Sequence, residues 1–209
     1  MEDTNTMIEG SIAKKIIYFA IPLFLGNLFQ QLYNTADSLI VGNFLGSSAL
    51  AAVASSGNLI FLLVGFFNGL SVGAGVVIAR FFGAHDHRRV RLSIHTTVAL
   101  GIICGLVLTG VGVIFAPKIL VLMGTPQDVL PDSIIYFRIY FMGSLAFVLY
   151  NAFTGILQAL GDSKHPLYYL IISSVINVVL DIVLITVFHM GVDGAALATV
   201  ISQVVSAVL

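Results

Sequence analysis

Two carboxylates, Asp37 and Asp181, lie inside long apolar segments of a chain in which 58% of the residues are hydrophobic and 9% are charged. An ionised Asp at the centre of a membrane helix costs about 2.5 to 3.5 kcal/mol on insertion scales, so a residue of this kind is usually functional. Carboxylates bind and release protons and hard cations. The pair therefore predicts that ion binding is coupled to movement of something across a membrane.

Both carboxylates have polar neighbours at helical spacing, and the last apolar segment carries a polar stripe of its own. Residues three, four or seven apart share one face of a helix. A helix that is polar on one face only is typical of one that borders a hydrated cavity and faces lipid elsewhere. These residues are Gln30, Tyr33 and Asn34; Ser173, Ser174 and Asn177; and Thr199, Ser202, Gln203 and Ser206. We expect a cavity lined by Gln30, Tyr33, Asn34, Ser173 and Gln203.

Composition restricts the class of protein. The 209 residues have a mean hydropathy of +1.05 and a net charge of -1, so the chain cannot cover itself with a polar surface and is expected in a membrane. Lys and Arg are scattered at the predicted helix ends, and nucleic acid is not an expected partner. Cys104 is the single cysteine, so no intrachain disulfide can form. His85 and His87 fall in a basic loop without enough ligands for a structural metal. We expect neither an enzyme nor a cofactor other than a coupling ion.

Stretches of about 20 apolar residues predict six membrane spans. They cover about 16–42, 49–82, 92–115, 133–160, 166–188 and 192–209. The second and fourth exceed one bilayer crossing, so we expect each to tilt or to continue into the water as helix. Pro117 and the Gly-Thr-Pro turn at 124–126 predict the break after the third span. The predicted fold is an all-α, polytopic membrane helix bundle in which 1–209 form one six-helix domain.

Pairs of glycines four residues apart indicate where helix backbones can approach closely. They occur at 42 and 46, at 69 and 73, and at 101 and 105. Pro22 predicts a bend in the first span, which is common in the moving helices of transporters.

The distribution of basic residues predicts the orientation, because cytoplasmic loops are enriched in Lys and Arg. With the N-terminus in the cytoplasm, Lys118 is external and Arg138 lies just inside the fourth span near its outer end. The other basic residues are all cytoplasmic: Lys14, Lys15, Arg80, Arg88, Arg89, Arg91 and Lys164. The first apolar stretch is too long, and too polar on one face, for a signal-peptide core, so we expect it to stay as a span. The prediction is a multi-pass cell-membrane protein.

This orientation places polar groups of three spans at one depth. Asp37, Asp181 and Thr199 each lie five to seven residues from the outer end of their span, which is about 8 to 10 Å at 1.5 Å per residue. Buried polar residues can instead serve only to hold the bundle together through interhelical hydrogen bonds. This alternative to a functional role stays open for Thr199, Ser202 and Ser206. For the carboxylates it is disfavoured, because Asn or Ser would bond as well without the cost of ionisation.

Several stretches resemble the multidrug and toxic compound extrusion (MATE) family in collinear order. They are 31–42 (QLYNTADSLIVG), 69–75 with 79–84, 157–166 (LQALGDSKHP), 177–181 (NVVLD) and 194–199 (GAALAT). The resemblance implies a secondary active transporter that exports organic or cationic drugs by alternating access, in antiport with Na+ or H+. It also implies a cation or proton site on Asp37, Asn177, Asp181 and Thr199.

Members of that family are similar to two six-helix lobes in one chain, whereas this sequence offers one. We expect the N-terminal lobe of a twelve-helix transporter, cut short in the sixth helix, which partners either a missing C-terminal lobe or a second copy. Two rival functions stay open: a lipid-linked saccharide flippase of the same superfamily and a half-protein without transport. An intramembrane aspartyl protease is disfavoured, because Ala36 and Leu180 stand where its motifs have Tyr and Gly.

Overall fold

The computed structural model describes residues 12–209, which fold into seven α-helices and contain no β-strand. The helices are α1 Ile12–Leu45, α2 Ser47–Gly83, α3 His87–Leu122, α4 Leu130–Met142, α5 Ser144–Ala159, α6 Lys164–Ile182 and α7 Val192–Val208. A π-helical turn, Val183–Val187, continues α6. The all-α prediction is confirmed, while residues 1–11 of the predicted domain lie outside the described residues.

Within residues 12–209, four helical units are long and apolar enough to cross a membrane alone. They are α1, α2, α3, and α6 together with its π-helical turn. Helices α4 and α5 are bent by 48° relative to each other and make a further apolar unit, and α7 is a shorter apolar helix in the place of the predicted sixth span. The arrangement confirms a polytopic membrane helix bundle of about six units.

The fourth predicted span is broken at Gly143, so the expectation of one tilted or extended helix is wrong there. A Cβ atom at Gly143 would lie 2.7 Å from Val200 Cγ2 on α7. Glycine allows this close approach and also weakens the helix at the same point. The second predicted span behaves differently, since α2 runs without a break through 37 residues.

Pro117 lies inside α3, so the predicted end of the third span is also wrong. Proline has no N–H, which leaves the carbonyl of the residue four positions earlier without its helical donor. Here that residue is Val113, and Nε of Arg138 on α4 donates to its carbonyl oxygen at 3.3 Å. The guanidinium group replaces the missing donor, and the helix continues to Leu122.

Glycines set the closest helix contacts. A Cβ atom at Gly105 on α3 would lie 2.8 Å from the Cα atom of Leu145 on α5, so the two backbones touch. A Cβ atom at Gly101 would make only ordinary van der Waals contacts with α5. Gly69 and Gly73 have no atom within 4 Å of the Cβ position, so the expected close approach is wrong for this pair within the described chain.

The distribution of polarity is inverted relative to a water-soluble protein. The side chains of Ser133, Asn177 and Asp181 are fully buried, whereas Phe61 and Leu122 are 80% and 87% exposed. Apolar side chains on the outside of a bundle match the hydrocarbon of a bilayer, and polar groups inside can satisfy one another. This pattern agrees with the composition of the chain.

The turn between α5 and α6 holds the start of α6 through Asp162. The Oδ1 atom of Asp162 accepts hydrogen bonds from the backbone N–H groups of Lys164 and His165 at 3.1 Å each, and Oδ2 contacts Nδ1 of His165. Partial burial works to raise the pKa of Asp162, but the hydrogen bonds and charge of His165 outweigh it, so the pKa is lowered.

A lowered pKa makes this contribution to stability dependent on pH. The charged carboxylate stabilises the fold above its ordinary pKa of about 4, and the contribution is lost as the pH falls through the lower folded-state pKa. Because the pair is partly exposed, we expect Asp162→Asn to cost about 0.5 kcal/mol at pH 7 and less at pH 3, which is below the ordinary pKa of Asp. Thermal unfolding of both proteins in detergent at the two pH values measures this. An equal cost at both values would contradict it.

Candidate functional site

Three helices in mutual contact bring the predicted site residues together. Helix α6 packs against both α1 and α7. It carries Asn177 and Asp181, which are four residues apart, share one face and are fully buried. Asp37 comes from α1 and is half-buried, and Thr199 comes from α7 and is 5% exposed. Helical pitch and charge asymmetry predicted that these residues lie together, and the structure places them next to one another.

Hydrogen bonds orient two members of the group. The Nδ2 amide of Asn177 donates to Oγ1 of Thr199 at 3.4 Å, and that hydroxyl donates to the backbone carbonyl oxygen of Ala195 at 3.1 Å. The carboxyl groups of Asp37 and Asp181 are close enough for one to donate a hydrogen bond to the other when protonated. The amide nitrogen of Asn177 is therefore engaged with α7, while its oxygen remains free.

Four side-chain oxygens of the group are buried and have no hydrogen-bond donor. They are Oδ1 of Asp37, Oδ1 of Asn177, and both carboxylate oxygens of Asp181. Ion pairs elsewhere in the described residues join Asp86 to Arg89 and Asp162 to His165, and neither involves this group. Two adjacent carboxylates that are both ionised repel each other and lack compensation in a buried site. An excess of acceptors without donors fits a bound proton or a hard cation, which prefers oxygen ligands.

Three tyrosines surround the carboxylate pair. Tyr33 on α1 lies beside Asp37 and Thr199. Tyr136 and Tyr140 on α4 are near enough to Asp37 to feel its charge, and their rings are stacked with centroids 6.2 Å apart. The two tyrosines on α4 were not among the site residues predicted from the sequence, although their spacing of four places them on one face of that helix. Their phenol groups supply hydroxyl donors and acceptors next to the site.

A polar cavity lies between α1, α5, α6 and α7, and neither Asp37 nor Asp181 lines it, although Tyr33, one helical turn before Asp37, does. Its volume is ≈ 30 Å³, enough for about two water molecules. The lining residues are Gln30, Tyr33, Tyr150, Leu170, Ser173, Ser174, Ser202, Gln203 and Ser206. The Oε1 atom of Gln203 and the Oγ atom of Ser206 are buried and without a protein donor or acceptor. Water is the natural partner for such atoms in a polar cavity.

Asn34 does not belong to this cavity, which corrects its assignment from the sequence. Its side chain is exposed, accepts a hydrogen bond from Gln30 and donates one to Gln31. Asn34 lies about 100° further round α1 than Tyr33, which lines the cavity. It therefore marks the edge of the polar face rather than its centre.

The backbone of α6 changes its winding directly after Asp181. The π-helical turn begins at Val183, and the N–H of Phe188 donates to the Val183 carbonyl oxygen at 3.2 Å. Such turns replace the regular i to i+4 ladder and occur frequently at functional sites. The position of the turn supports assigning a functional role to the adjacent carboxylate.

The hydrogen bond between Asn177 and Thr199 predicts a loss of stability on Thr199→Val. This change keeps the shape of the side chain but leaves the buried Asn177 amide without its acceptor, which costs about 1 to 3 kcal/mol. Thr109→Val is the matched control, because the Thr109 hydroxyl donates only to the backbone carbonyl oxygen of Gly105. Thermal unfolding in detergent should show the larger loss at position 199, and equal losses would contradict the role of this bond.

Comparisons with known proteins all identify the same protein family. The MatE family model matches residues 22–183. The probable multidrug resistance protein YoeA of Bacillus subtilis (strain 168) is 38% identical over 205 residues, which covers 96% of this chain and 44% of that protein. The probable multidrug resistance protein YpnP of the same organism is 33% identical over 195 residues, with 93% and 44% covered.

A solved structure gives the same result for the fold. A crystal structure of MATE in the bent conformation superposes with a TM-score of 0.92 at 30% identity, covering 100% of this chain and 46% of that chain. The architecture is therefore that of one half of a MATE structure. The chain spans less than half the length of the relatives that it matches.

Proposed function

The chain belongs to the MatE family, a family of transporters, and from this premise we propose that it forms the ion-coupling lobe of an exporter of organic or cationic compounds. The coupling ion is Na+ or H+, and it binds at Asp37, Asn177, Asp181 and Thr199. The observation that carries this proposal is the set of four buried oxygens without donors between α1 and α6. A proton or a hard cation compensates them, and a neutral substrate does not.

Asp37 is the principal exchanging group in this proposal. Its side chain is half-buried, whereas Asp181 is fully buried, so Asp37 is the carboxylate that water reaches more readily. Helix α1 packs mainly on α6, with further contacts to α2 and α7, and in the described chain its backbone does not approach those of α3, α4 or α5. It also contains Pro22, which removes one backbone hydrogen bond. A weakly held helix that carries one of two repelling carboxylates can move when their charge is compensated.

The mechanism is alternating access driven by this movement. When Asp37 and Asp181 share no cation, their repulsion favours separation of α1 from α6. When a proton or Na+ bridges them, the two helices close around it. Each closure changes which side of the membrane the substrate cavity faces, so inward movement of the ion drives outward movement of the substrate. The N-terminus is cytoplasmic, and the membrane is the cell membrane.

The charge of the site favours an exporter over a lipid-linked saccharide flippase. A flippase must hold phosphate groups, for which buried Arg or Lys is suited. Arg138 is the basic residue within the fourth span, and it is exposed and bonded to the Val113 carbonyl oxygen. The buried groups beside the cavity are acidic or neutral, which suits a cationic substrate.

Dye transport with separated gradients tests the proposal. The chain is reconstituted in liposomes, alone and together with a second lobe, and movement of ethidium is followed under an imposed Na+ gradient or an imposed pH gradient. We expect ethidium movement to follow one of the two gradients and to stop when that gradient is dissipated. Movement that ignores both gradients in every assembly would remove the proposed coupling role.

A further inference from the structure

The turn between α2 and α3 carries a dense group of positive charges. Residues 80–91 contain four arginines and one acidic residue, Asp86. Asp86 is engaged by Arg89: its Oδ1 accepts the Arg89 backbone N–H at 3.0 Å, and its Oδ2 lies 3.3 Å from Arg89 Nε. Arg88 and Arg91 are exposed and form no ion pair in the described residues. Among residues 12–209, these two arginines at the start of α3 therefore have no acidic partner.

The position of these arginines on α3 adds to the positive potential. The N-terminal end of a helix carries a partial positive charge, and cations there are unfavourable unless an anion compensates them. The first turn of α3 contains no acidic residue. Arg88 and Arg91 thus stand at a helix end that favours an anion, where the N-cap carboxylate of Asp86 is already engaged by Arg89.

The face of α3 that carries these arginines continues as an apolar surface. Arg88, Arg91, His95, Ala99, Ile102 and Leu106 follow one another at intervals of three or four residues and are all exposed. Intervals of this kind place residues on one side of a helix. The packed side is different, because Val90, Gly101 and Gly105 are buried there. One exposed face therefore has basic side chains at its start and apolar ones beyond.

The length of the basic part matches one headgroup layer of a bilayer. From Arg88 to His95 the helix rises about 10 Å at 1.5 Å per residue. The headgroup region of each leaflet is about 5 to 8 Å thick, and the hydrocarbon begins below it. Ile102 and Leu106 lie at the depth of the acyl chains. The surface is thus matched to a molecule with an anionic head and hydrocarbon tails.

We propose that this face of α3 binds an anionic phospholipid, with its phosphate held by Arg88 and Arg91 and its acyl chains lying along Ile102 and Leu106. His95 can add a ring N–H donor to the headgroup. A soluble phosphate ion would use the arginines but leave the apolar half of the face without a role. The proposal is independent of ion coupling at Asp37 and would survive its failure. With the N-terminus inside, the lipid is in the cytoplasmic leaflet.

Quenching of a single tryptophan by brominated lipid tests the proposal directly, because the chain contains no Trp. Ile102→Trp places the reporter on the proposed face, where Ile102 is 40% exposed. Ile114→Trp is the matched reporter near the other end of the same helix, where Ile114 is 69% exposed. Each full-length variant is reconstituted in vesicles containing either dibromo-phosphatidylglycerol or dibromo-phosphatidylcholine.

We expect dibromo-phosphatidylglycerol to quench the Trp at position 102 about threefold or more as strongly as dibromo-phosphatidylcholine does. The Trp at position 114 should be quenched equally by both lipids. In the double variant Arg88→Gln, Arg91→Gln, the ratio of quenching by phosphatidylglycerol to quenching by phosphatidylcholine at position 102 should fall to about one. Lys118→Gln, which removes one charge near the far end of α3, should leave it unchanged. The absence of a preference at position 102, an equal preference at both positions, or a preference that survives loss of both arginines would each overturn the proposal.

Inorganic phosphate distinguishes lipid from a soluble anion as the ligand. Addition of phosphate is compared with addition of NaCl at the same ionic strength. We expect both salts to weaken the phosphatidylglycerol preference equally, since screening is their common effect. A specific loss of the preference with phosphate would indicate a soluble-anion site and overturn the assignment to lipid.

Discussion

Asp37→Asn is expected to reduce ion-coupled efflux at least about tenfold in the assembled transporter, because affinity for a hard cation depends strongly on the number of charged ligands. Asn keeps the size of the side chain and an oxygen, but it neither carries charge nor exchanges a proton. The structure places this side chain against Asp181, in a group of residues in which four buried oxygens, Oδ1 of Asp37 among them, have no donor. Removing one charge also removes the repulsion that we propose drives α1 away from α6.

The variant should still insert and fold, since an Asn costs less in a membrane than an ionised Asp. Asp132→Asn is a control with the same change of charge, because Asp132 is exposed in the first turn of α4. Ethidium efflux under Na+ and pH gradients and the amount of folded protein are measured for both variants. Full coupled efflux by Asp37→Asn, or an equal loss in Asp132→Asn, would rule out the proposed role of Asp37.

Gly112→Ala is expected to destabilise the bundle by about 1 to 3 kcal/mol through overpacking. A Cβ atom at Gly112 would lie 1.9 Å from Cδ1 of Phe141 on α4. The Phe141 ring is 3% exposed and stacks on Phe137 with centroids 4.3 Å apart, and Phe137 is fully buried. The ring therefore has no free space into which it can turn, and α3 and α4 must separate.

Gly110→Ala, two residues earlier on the same helix, is the matched control. No atom lies within 4 Å of its Cβ position. Alanine is a better helix former than glycine by about 1 kcal/mol, so this variant should be neutral or more stable than the original protein. The two Gly→Ala changes are compared by thermal unfolding in the same detergent. Effects of the same sign and size would show that packing of Gly112 against Phe141 does not control stability.

The sequence was sufficient for the main elements because their signals are local. Apolar segments of about 20 residues predict membrane helices whatever they pack against, and the helices found agree with most of the predicted spans. The grouping of Asp37, Asn177, Asp181 and Thr199 also followed from helical pitch and charge asymmetry. Both depend on distances along a single helix, which 1.5 Å per residue determines.

The errors occurred where a contact between distant segments overrides a local signal. Pro117 is a helix-breaking residue by its own chemistry, but Arg138 supplies the missing donor from another helix. Gly143 ends α4 where α7 packs closely through Val200, and nothing near Gly143 in the sequence announces that neighbour. Asn34 follows the helical periodicity, yet the position of α1 on α6 leaves it exposed.

The sequence by itself determined that the chain is helical, belongs in a membrane and carries two costly carboxylates at one depth, since these follow from composition and the fixed geometry of a helix. Only the tertiary structure decided that Tyr136 and Tyr140 complete the surroundings of the site and that its four oxygens lack donors. It also decided which glycines touch a neighbour. These properties depend on how α1, α4, α6 and α7 pack together, and packing is a sum of contacts between residues far apart in the chain.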